Sequence, residues 1–445
     1  MVTTLSERGE LSRAARSFLR TESGSAVLLL MAAVVALVWA NTSPGYETFW
    51  HTDFSLNFGG TTLSLDLRHW VNDGLMVLFF FSVGLEISRE MVLGELRGVR
   101  AIATPAAAAV GGLVVPALLY LAFNAGGPGA GAWGIAISTD TAVVIGVLAL
   151  VGPRCPDQLR VFLLALAIVD DIGAVAAIAL FYTENVDYTA LALAVVAFVA
   201  LLGLRFVRFW RTPIYVLIGV LMWLAILRSG VHPSVVGLLL GLLVNAYAPR
   251  PRDVARVQVM GTSFLVDPSP ERALAAQAAA TEAVSPNERL QLRIQPWSSY
   301  VIVPLFVLAN AGVVLSAQTL ATAAMSPITW GIIVGLVVGK PIGVAAATWI
   351  ALRTGIGTLP DTLRWGQVIG GAGLAGIGFT VALFVTELAL DDPVLINNAK
   401  IGIMTGSILA AVVGWLIFRV AGERGGQCAP SGLPVLPPRP WRPPS

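Results

Sequence analysis

Four ionisable residues in this sequence stand where ionisable residues are expensive. Asp140 lies in Ile137-Ser138-Thr139-Asp140-Thr141-Ala142, and Asp170 and Asp171 lie in Ala167-Ile168-Val169-Asp170-Asp171-Ile172-Gly173-Ala174. Lys340 lies in Val338-Gly339-Lys340-Pro341. Each falls midway along an apolar stretch of about twenty residues, enough at about 1.5 Å rise each to cross about 30 Å of hydrocarbon. A charge at the bilayer centre costs about 2.5–3.5 kcal/mol on insertion scales, so it needs a partner or a task. Interhelical glue is one reading. It does not account for adjacent carboxylates, because neighbouring residues on a helix point about 100° apart and cannot serve one contact. One of Asp170 and Asp171 can face Lys340 while the other faces a water-filled funnel.

Carboxylate oxygens are hard ligands and suit hard cations. A carboxylate withdrawn from water and crowded by a second one also holds a proton more readily. A site of this kind takes either a proton or a small cation, which is the chemical core of exchange by competition.

The elements that must position these residues are membrane spans. Of 445 residues, 56% are hydrophobic and 12% charged, against about 25% charged in soluble domains, and mean hydropathy is +0.79. Apolar stretches cover 25–40, 70–88, 101–123, 131–151, 160–182, 189–205, 213–228, 232–247, 299–316, 328–351, 365–388 and 399–420. The domain reading is an N-terminal cytoplasmic segment 1–24, a transporter domain 25–421 and a disordered Pro-rich tail 422–445, with 248–297 a charged loop. The first apolar run lacks a clear small-residue cleavage site and reads as a retained span. Arginines crowd alternate loops: Arg8, Arg13, Arg16 and Arg20, then Arg89, Arg97 and Arg100, then Arg154 and Arg160, then Arg205, Arg208 and Arg211. Six more lie in 248–297, Arg353 and Arg364 flank a turn, and four close the chain, while Arg68, Arg228 and Lys400 fall in the other loops. Basic residues favour the cytoplasmic side, so both termini are expected there. Cys155 and Cys428 give no disulfide framework, and His51, His69 and His232 offer no zinc site.

Two stretches look interrupted. Ser138-Thr139-Asp140-Thr141 breaks the fourth with weak helix formers, and Gly370-Gly371-Ala372-Gly373-Leu374-Ala375-Gly376-Ile377-Gly378-Phe379-Thr380 loads the eleventh with glycine. Each is the middle member of a three-span set, and the two sets start on opposite sides. Paired interrupted helices in inverted repeats mark a midplane binding site. The expected fold class is an all-α polytopic membrane protein of about twelve transmembrane helices, with inverted three-helix repeats and two interrupted, crossing helices.

Eight motifs in order give the chain a family likeness. They are Asn72-Asp73-Gly74-Leu75-Met76, Val83-Gly84-Leu85-Glu86, Ser138-Thr139-Asp140, Ile168-Val169-Asp170-Asp171-Ile172-Gly173-Ala174, Ser229-Gly230-Val231-His232, Ala309-Asn310-Ala311-Gly312-Val313, Gly339-Lys340-Pro341-Ile342-Gly343 and Gly376-Ile377-Gly378-Phe379-Thr380. Over residues 10–420 the sequence resembles the NhaA-type sodium/proton antiporters. The resemblance implies that Asp171 is the main cation ligand and a proton carrier. It implies that Asp170 pairs with Lys340 and helps to bind the sodium or lithium ion, and that Asp140 and Thr139 sit where the broken helices cross. It further implies electrogenic exchange of two protons per sodium, an inner-membrane location, pH homeostasis and a homodimer with the 41–69 loop as a contact. Glu86 and His232 match positions linked to pH response, though a solvated span end and a lone interfacial histidine are blander readings of the two.

One departure is clear. The family often carries a Glu-His and then a His just before the ninth span, where this chain reads Gln291-Leu292-Arg293-Ile294-Gln295-Pro296-Trp297. The expected partners are sodium, lithium, protons and membrane lipid, with no nucleic acid and no cofactor. A potassium/proton carrier on the same fold is the nearest rival reading, followed by a passive cation channel. An intramembrane aspartyl protease would need Gly-x-Gly-Asp, and a metalloprotease His-Glu-x-x-His; the chain has neither.

Overall fold

A computed structural model describes residues 22–58, 61–93, 99–152, 157–183, 186–206, 212–359 and 363–421. Both cysteines, the tail 422–445 and all but the last residues of the 1–24 segment lie outside the described residues.

The chain is almost wholly helical. In order come α1 (Glu22–Thr42), a hairpin of β1 (Asp53–Phe58) and β2 (Thr61–Asp66), then α2 (Met76–Val92), α3 (Val99–Asn124), α4 (Thr141–Val151) and α5 (Asp157–Phe181). Next are α6 (Tyr188–Phe206), α7 (Thr212–Ser229), α8 (Ser234–Leu243), α9 (Pro251–Val266), α10 (Pro270–Ala283), α11 (Pro286–Trp297) and α12 (Val303–Asn310). The last are α13 (Pro327–Val334), α14 (Lys340–Arg353), α15 (Trp365–Leu374), α16 (Phe379–Ala389) and α17 (Pro393–Ala421). Single wider turns at Ser298–Ile302 and Gly335–Gly339 join α11 to α12 and α13 to α14 as continuous rods.

Among the described residues, seven helices are long and apolar enough to cross a membrane, or eight if the bent pair α15–α16 counts as one. The reasons the sequence suggested more are local. The fourth stretch is broken, α8 has only 10 residues, the apolar part of α7, Pro213–Ser229, is just short of a full span, and α2 carries Glu86, Arg89 and Glu90 near its end. Leu193, Val196, Val199, Val216, Leu217 and Leu221 on α6 and α7 are exposed, as a lipid-facing surface requires. Inside, one large apolar cluster fills the bundle, and a smaller one, Ala194, Leu201, Met222, Ile226, Val236 and Leu243, joins α6, α7 and α8.

The 248–297 stretch is not the expected loop. It folds as α9, α10 and α11, each opening with proline at its first position, where a missing N–H costs nothing. Ser269 and Ser285 cap α10 and α11, and the Ala-rich middle has the highest helix propensity available. α9 and α10 pack chiefly on each other, with Arg256 and Glu282 paired at 2.7 Å.

The hairpin pairs antiparallel from Asp53 opposite Asp66 to Phe58 opposite Thr61. Asp66 closes it by accepting the His69 amide at 2.7 Å and meeting the rings of His51 and His69. Partial burial pushes this carboxyl up, but the bonds from His69 and His51 outweigh it and hold Asp66 below the usual carboxylate range. The end of the bundle that carries this hairpin is called the strand face below.

α3 and α14 approach unusually closely. A Cβ on Gly111 would stand 2.5 Å from the Ala347 methyl, so only glycine lets these backbones meet. That approach brings Lys340, the first residue of α14, into the centre of the bundle.

Candidate ion-binding site

Two chain breaks meet at the site. Residues 130–135 form a short, tightly wound helix of about two turns, 136–140 carry no helix, and α4 begins only after Asp140, whose backbone is extended (φ −97°, ψ 93°). Ser, Thr and Asp there compete with the helix for its own hydrogen bonds. The second break separates α15 from α16, whose axes differ by 45°. The breaks are bonded to each other: the Asp140 amide donates to the Ile377 carbonyl at 2.7 Å, and the Ser138 hydroxyl to that of Gly378 at 3.1 Å. A Cβ on Gly378 would stand 2.6 Å from the Ser138 hydroxyl oxygen, so the contact depends on glycine.

Asp140 serves both breaks. One carboxylate oxygen accepts from the Val143 amide in the first turn of α4 at 3.2 Å, and the other from the Thr380 amide in the first turn of α16 at 3.1 Å. The first amides of a helix lack partners and carry partial positive charge. One buried carboxylate thus caps two half-helices at mid-depth.

Asp170 and Lys340 form the next layer. The Lys340 ammonium lies 2.5 Å from Asp170 Oδ2, with the two side chains 0% and 2% exposed. The Thr139 hydroxyl stands 2.7 Å from the same oxygen and 2.9 Å from the Ala375 carbonyl. It has one proton to give, so it serves one of them at a time. Asp170 Oδ1 is enclosed and takes no hydrogen bond among the described residues.

Asp171 is on the next face of α5 and only half-buried. It lies in electrostatic reach of Asp170, Glu86, Asp140 and Lys340. Five of the seven residues singled out from sequence therefore converge, namely Thr139, Asp140, Asp170, Asp171 and Lys340. Glu86, half-buried on α2, approaches them from the side. His232 does not join the group. Its Nε2 is 3.1 Å from Asp73 Oδ1, its Nδ1 is 2.9 Å from the Ser234 hydroxyl, and its ring stands edge-on to Phe384 at 4.9 Å.

Sequence reasoning missed three polar contacts. Asp73 pairs with His232, as just described. Asn310 donates to Asn72 at 2.8 Å in the buried interior. Lys400, assigned to a loop, lies inside α17, 3% exposed and 2.7 Å from Glu387. Asp391-Asp392-Pro393 was the available signal, since an Asp before a Pro at the first helical position starts a helix; Asp392 indeed caps Val394 at 2.7 Å.

Among the described residues no three His, Cys, Asp or Glu side chains converge as a metal site. The arrangement offers an Asp170 oxygen that takes no hydrogen bond among the described residues, the carboxylate of the partly exposed Asp171, and a Lys340 side chain fixed on Asp170. A small cation and protons can trade places on these oxygens.

The profile of the Na+/H+ antiporter 1 family matches residues 16–418. The chain is 50% identical over 440 residues to Na(+)/H(+) antiporter NhaA 3 of Frankia alni, covering 98% of this chain and 95% of that protein. It is 43% identical over 430 residues to Na(+)/H(+) antiporter NhaA 1 of Mycolicibacterium vanbaalenii, covering 96% and 70%. A solved structure of the sodium proton antiporter MjNhaP1 from Methanocaldococcus jannaschii aligns over 90% of this chain and 92% of its own, at 12% identity and a TM-score of 0.46.

Proposed function

Because this chain belongs to the Na+/H+ antiporter 1 family, we propose that it extrudes sodium or lithium from the cytoplasm in exchange for external protons, with Asp171 and Asp170 as the shared ion and proton ligands. The observation that carries this reading is the Lys340–Asp170 pair beside a half-open Asp171 at the meeting point of two broken helices. Asp171 takes the cation with Asp170 Oδ1, which takes no hydrogen bond among the described residues. Lys340 keeps Asp170 tolerable in a dry interior when neither cation nor proton is bound, since a buried charge needs a neighbour. Thr139 steadies Asp170, and Asp140 holds both half-helices in place. Glu86 lies on the approach to Asp171.

The finer reading goes further. About twelve spans that include two inverted three-span sets, with both termini cytoplasmic and the chain in the inner membrane, accord with the arginine-rich alternate loops. Two protons enter for each sodium that leaves, so one net charge crosses per cycle and exchange serves sodium extrusion and pH homeostasis. The β1–β2 hairpin is the contact of a homodimer. The test is collapse of a preformed pH gradient in everted vesicles on adding sodium, lithium or potassium. Collapse by sodium and lithium, absent in Asp171→Asn, supports the assignment. Collapse by potassium alone would replace it with a potassium/proton carrier.

A further inference from the structure

The helices form two sets. One, α2, α6, α7, α8, α11 and α12, is joined by pairwise packing; the other, α3, α4, α5 and α13 to α17, is joined likewise and carries the ion site. Phe384 of α16 crosses between them. It is fully buried, its ring centroid 5.4 Å from that of Phe80 on α2, 6.0 Å from Phe306 on α12 and 4.9 Å from His232, just before α8. These three side chains wall a socket, and the walls are pinned to one another. Asn310, at the end of α12, donates at 2.8 Å to Asn72 in the turn that leads into α2. His232 Nε2 lies 3.1 Å from Asp73 Oδ1, and the Trp223 indole of α7 donates to the Asp73 carbonyl at 2.6 Å.

These wall contacts stay within the first set. The polar contacts of α16 stay within the second: the Thr380 amide donates to Asp140, and Glu387 meets Lys400 of α17 at 2.7 Å. Phe384 thus joins the sets by apolar burial and dispersion, and a ring seated that way can turn slightly without breaking a hydrogen bond. It stands one turn, about 6 Å, from Thr380 toward the strand face. On the other side of the ion site the sets meet again, where α1, which packs on α12, touches α4. A Cβ on Gly146 would stand 2.7 Å from the Ala26 methyl there, and a contact of such small residues leaves two close backbones free to slide.

We propose that Phe384 in its socket is the pivot between the two sets. The set that carries the ion site turns about this ring, so movement is small toward the strand face and grows toward the opposite end, where α1 slides on α4. The pinned walls keep the socket in shape while the ring turns, and the short helix α16 carries the turn to the double cap on Asp140. The pivot's part in transport rests on the exchange reading, but the motion itself does not.

The test reads distances in detergent with no ion gradient, so its failure is separate from any failure of exchange. Tyr188 and Phe206 are exposed at the two ends of α6 in the first set, and Val394 and Val420 at the two ends of α17 in the second. Spin labels are placed on Tyr188→Cys/Val394→Cys, near the strand face, and separately on Phe206→Cys/Val420→Cys, at the opposite end, in protein carrying Cys155→Ser and Cys428→Ser. Pulsed electron paramagnetic resonance, on labelled protein mixed with excess unlabelled protein, gives each distance distribution. The far pair is expected to be at least about twice as broad as the near pair, as rotation about a point near the strand face requires. Phe384→Ala empties the socket and is expected to broaden the near pair about twofold, with Phe384→Leu in between. A ring that only fills space would lower the melting temperature in these variants and leave both distributions as they were, which overturns the pivot. So does a near pair as broad as the far pair in the parent. Phe384→Leu keeps most of the buried volume and decides the matter if Phe384→Ala fails to fold.

Discussion

The Lys340 ammonium stands 2.5 Å from one oxygen of Asp170, and neither side chain reaches solvent. The pair is a mutual dependence, because either charge left alone would face a dry surround. Removing one partner of a buried pair costs about 3–5 kcal/mol. Lys340→Ala is therefore expected to lower the melting temperature as well as sodium-driven exchange, and Lys340→Met/Asp170→Asn to recover part of the stability but none of the exchange. An unchanged melting curve for well-folded Lys340→Ala protein would remove the pair from the account.

Asp171 is expected to behave differently. It is half-buried and its charge is not matched to one partner. Asp171→Asn keeps its shape, so stability should change by less than about 1 kcal/mol, within the usual range away from special sites. Sodium-driven exchange should fall to background. Exchange above a few per cent of the parent would show that Asp171 is not the ligand.

Asp140 is a structural joint with two bonds to helix starts. Losing a cap costs about 0.5–2 kcal/mol, so Asp140→Ala should lose up to twice that. Asp140→Asn keeps an acceptor oxygen for one cap and should fall between the two. Thermal unfolding of the three proteins gives the order, and equal melting temperatures would contradict the double cap.

Asp66 sets an acid limit for the hairpin. Its carboxyl is held below the usual range, so its contribution is present above the unfolded value and is lost as pH falls through the folded one. Protection of β1 and β2 amides against hydrogen exchange should be flat from neutral pH to about pH 5 and fall below about pH 4. Asp66→Asn should lose protection at neutral pH and flatten the profile. A hairpin that stays protected in acid would disprove the role.

Electrogenic exchange has its own signature. If one net charge crosses per cycle, 100 mV is worth about 2.3 kcal/mol, which shifts the exchange equilibrium more than tenfold at about 1.4 kcal/mol per decade. Sodium-driven exchange should then depend on an imposed potential, and if protons and sodium share Asp170 and Asp171, apparent sodium affinity should weaken as pH falls. Initial rates over sodium concentration, pH and potential test both. A steep loss of maximal rate at constant affinity would instead point to a sensor, with Glu86 and His232 the first residues to replace.

Much of the site was readable in the sequence because its residues are costly where they stand. A charge midway along an apolar stretch has few explanations, and Asp140, Asp170, Asp171 and Lys340 advertised themselves that way. The breaks were readable from Ser138-Thr139-Asp140 and the glycines near Gly378. Which aspartate meets Lys340 came from the family resemblance and not from spacing, since spacing gives the angle between neighbours but not the rotation of α5. The Asp73–His232 and Glu387–Lys400 contacts join side chains that periodicity treats as separate, and only the packed fold brings them together. The 248–297 region misled because its charges suggested a loop, while its Ser-Pro starts and alanines encode helices.

The α9–α10 pair has a practical consequence for imaging a protein that is otherwise buried in detergent or lipid. Its two helices bind each other, Ser269 caps the start of the second, and the turn Asp267–Ser269 joins them. A compact helical protein spliced into that turn through unbroken helices would project as a rigid marker. Electron micrographs of the fusion could then be aligned on that marker, and its place relative to the micelle would show on which side of the membrane the 248–297 segment lies.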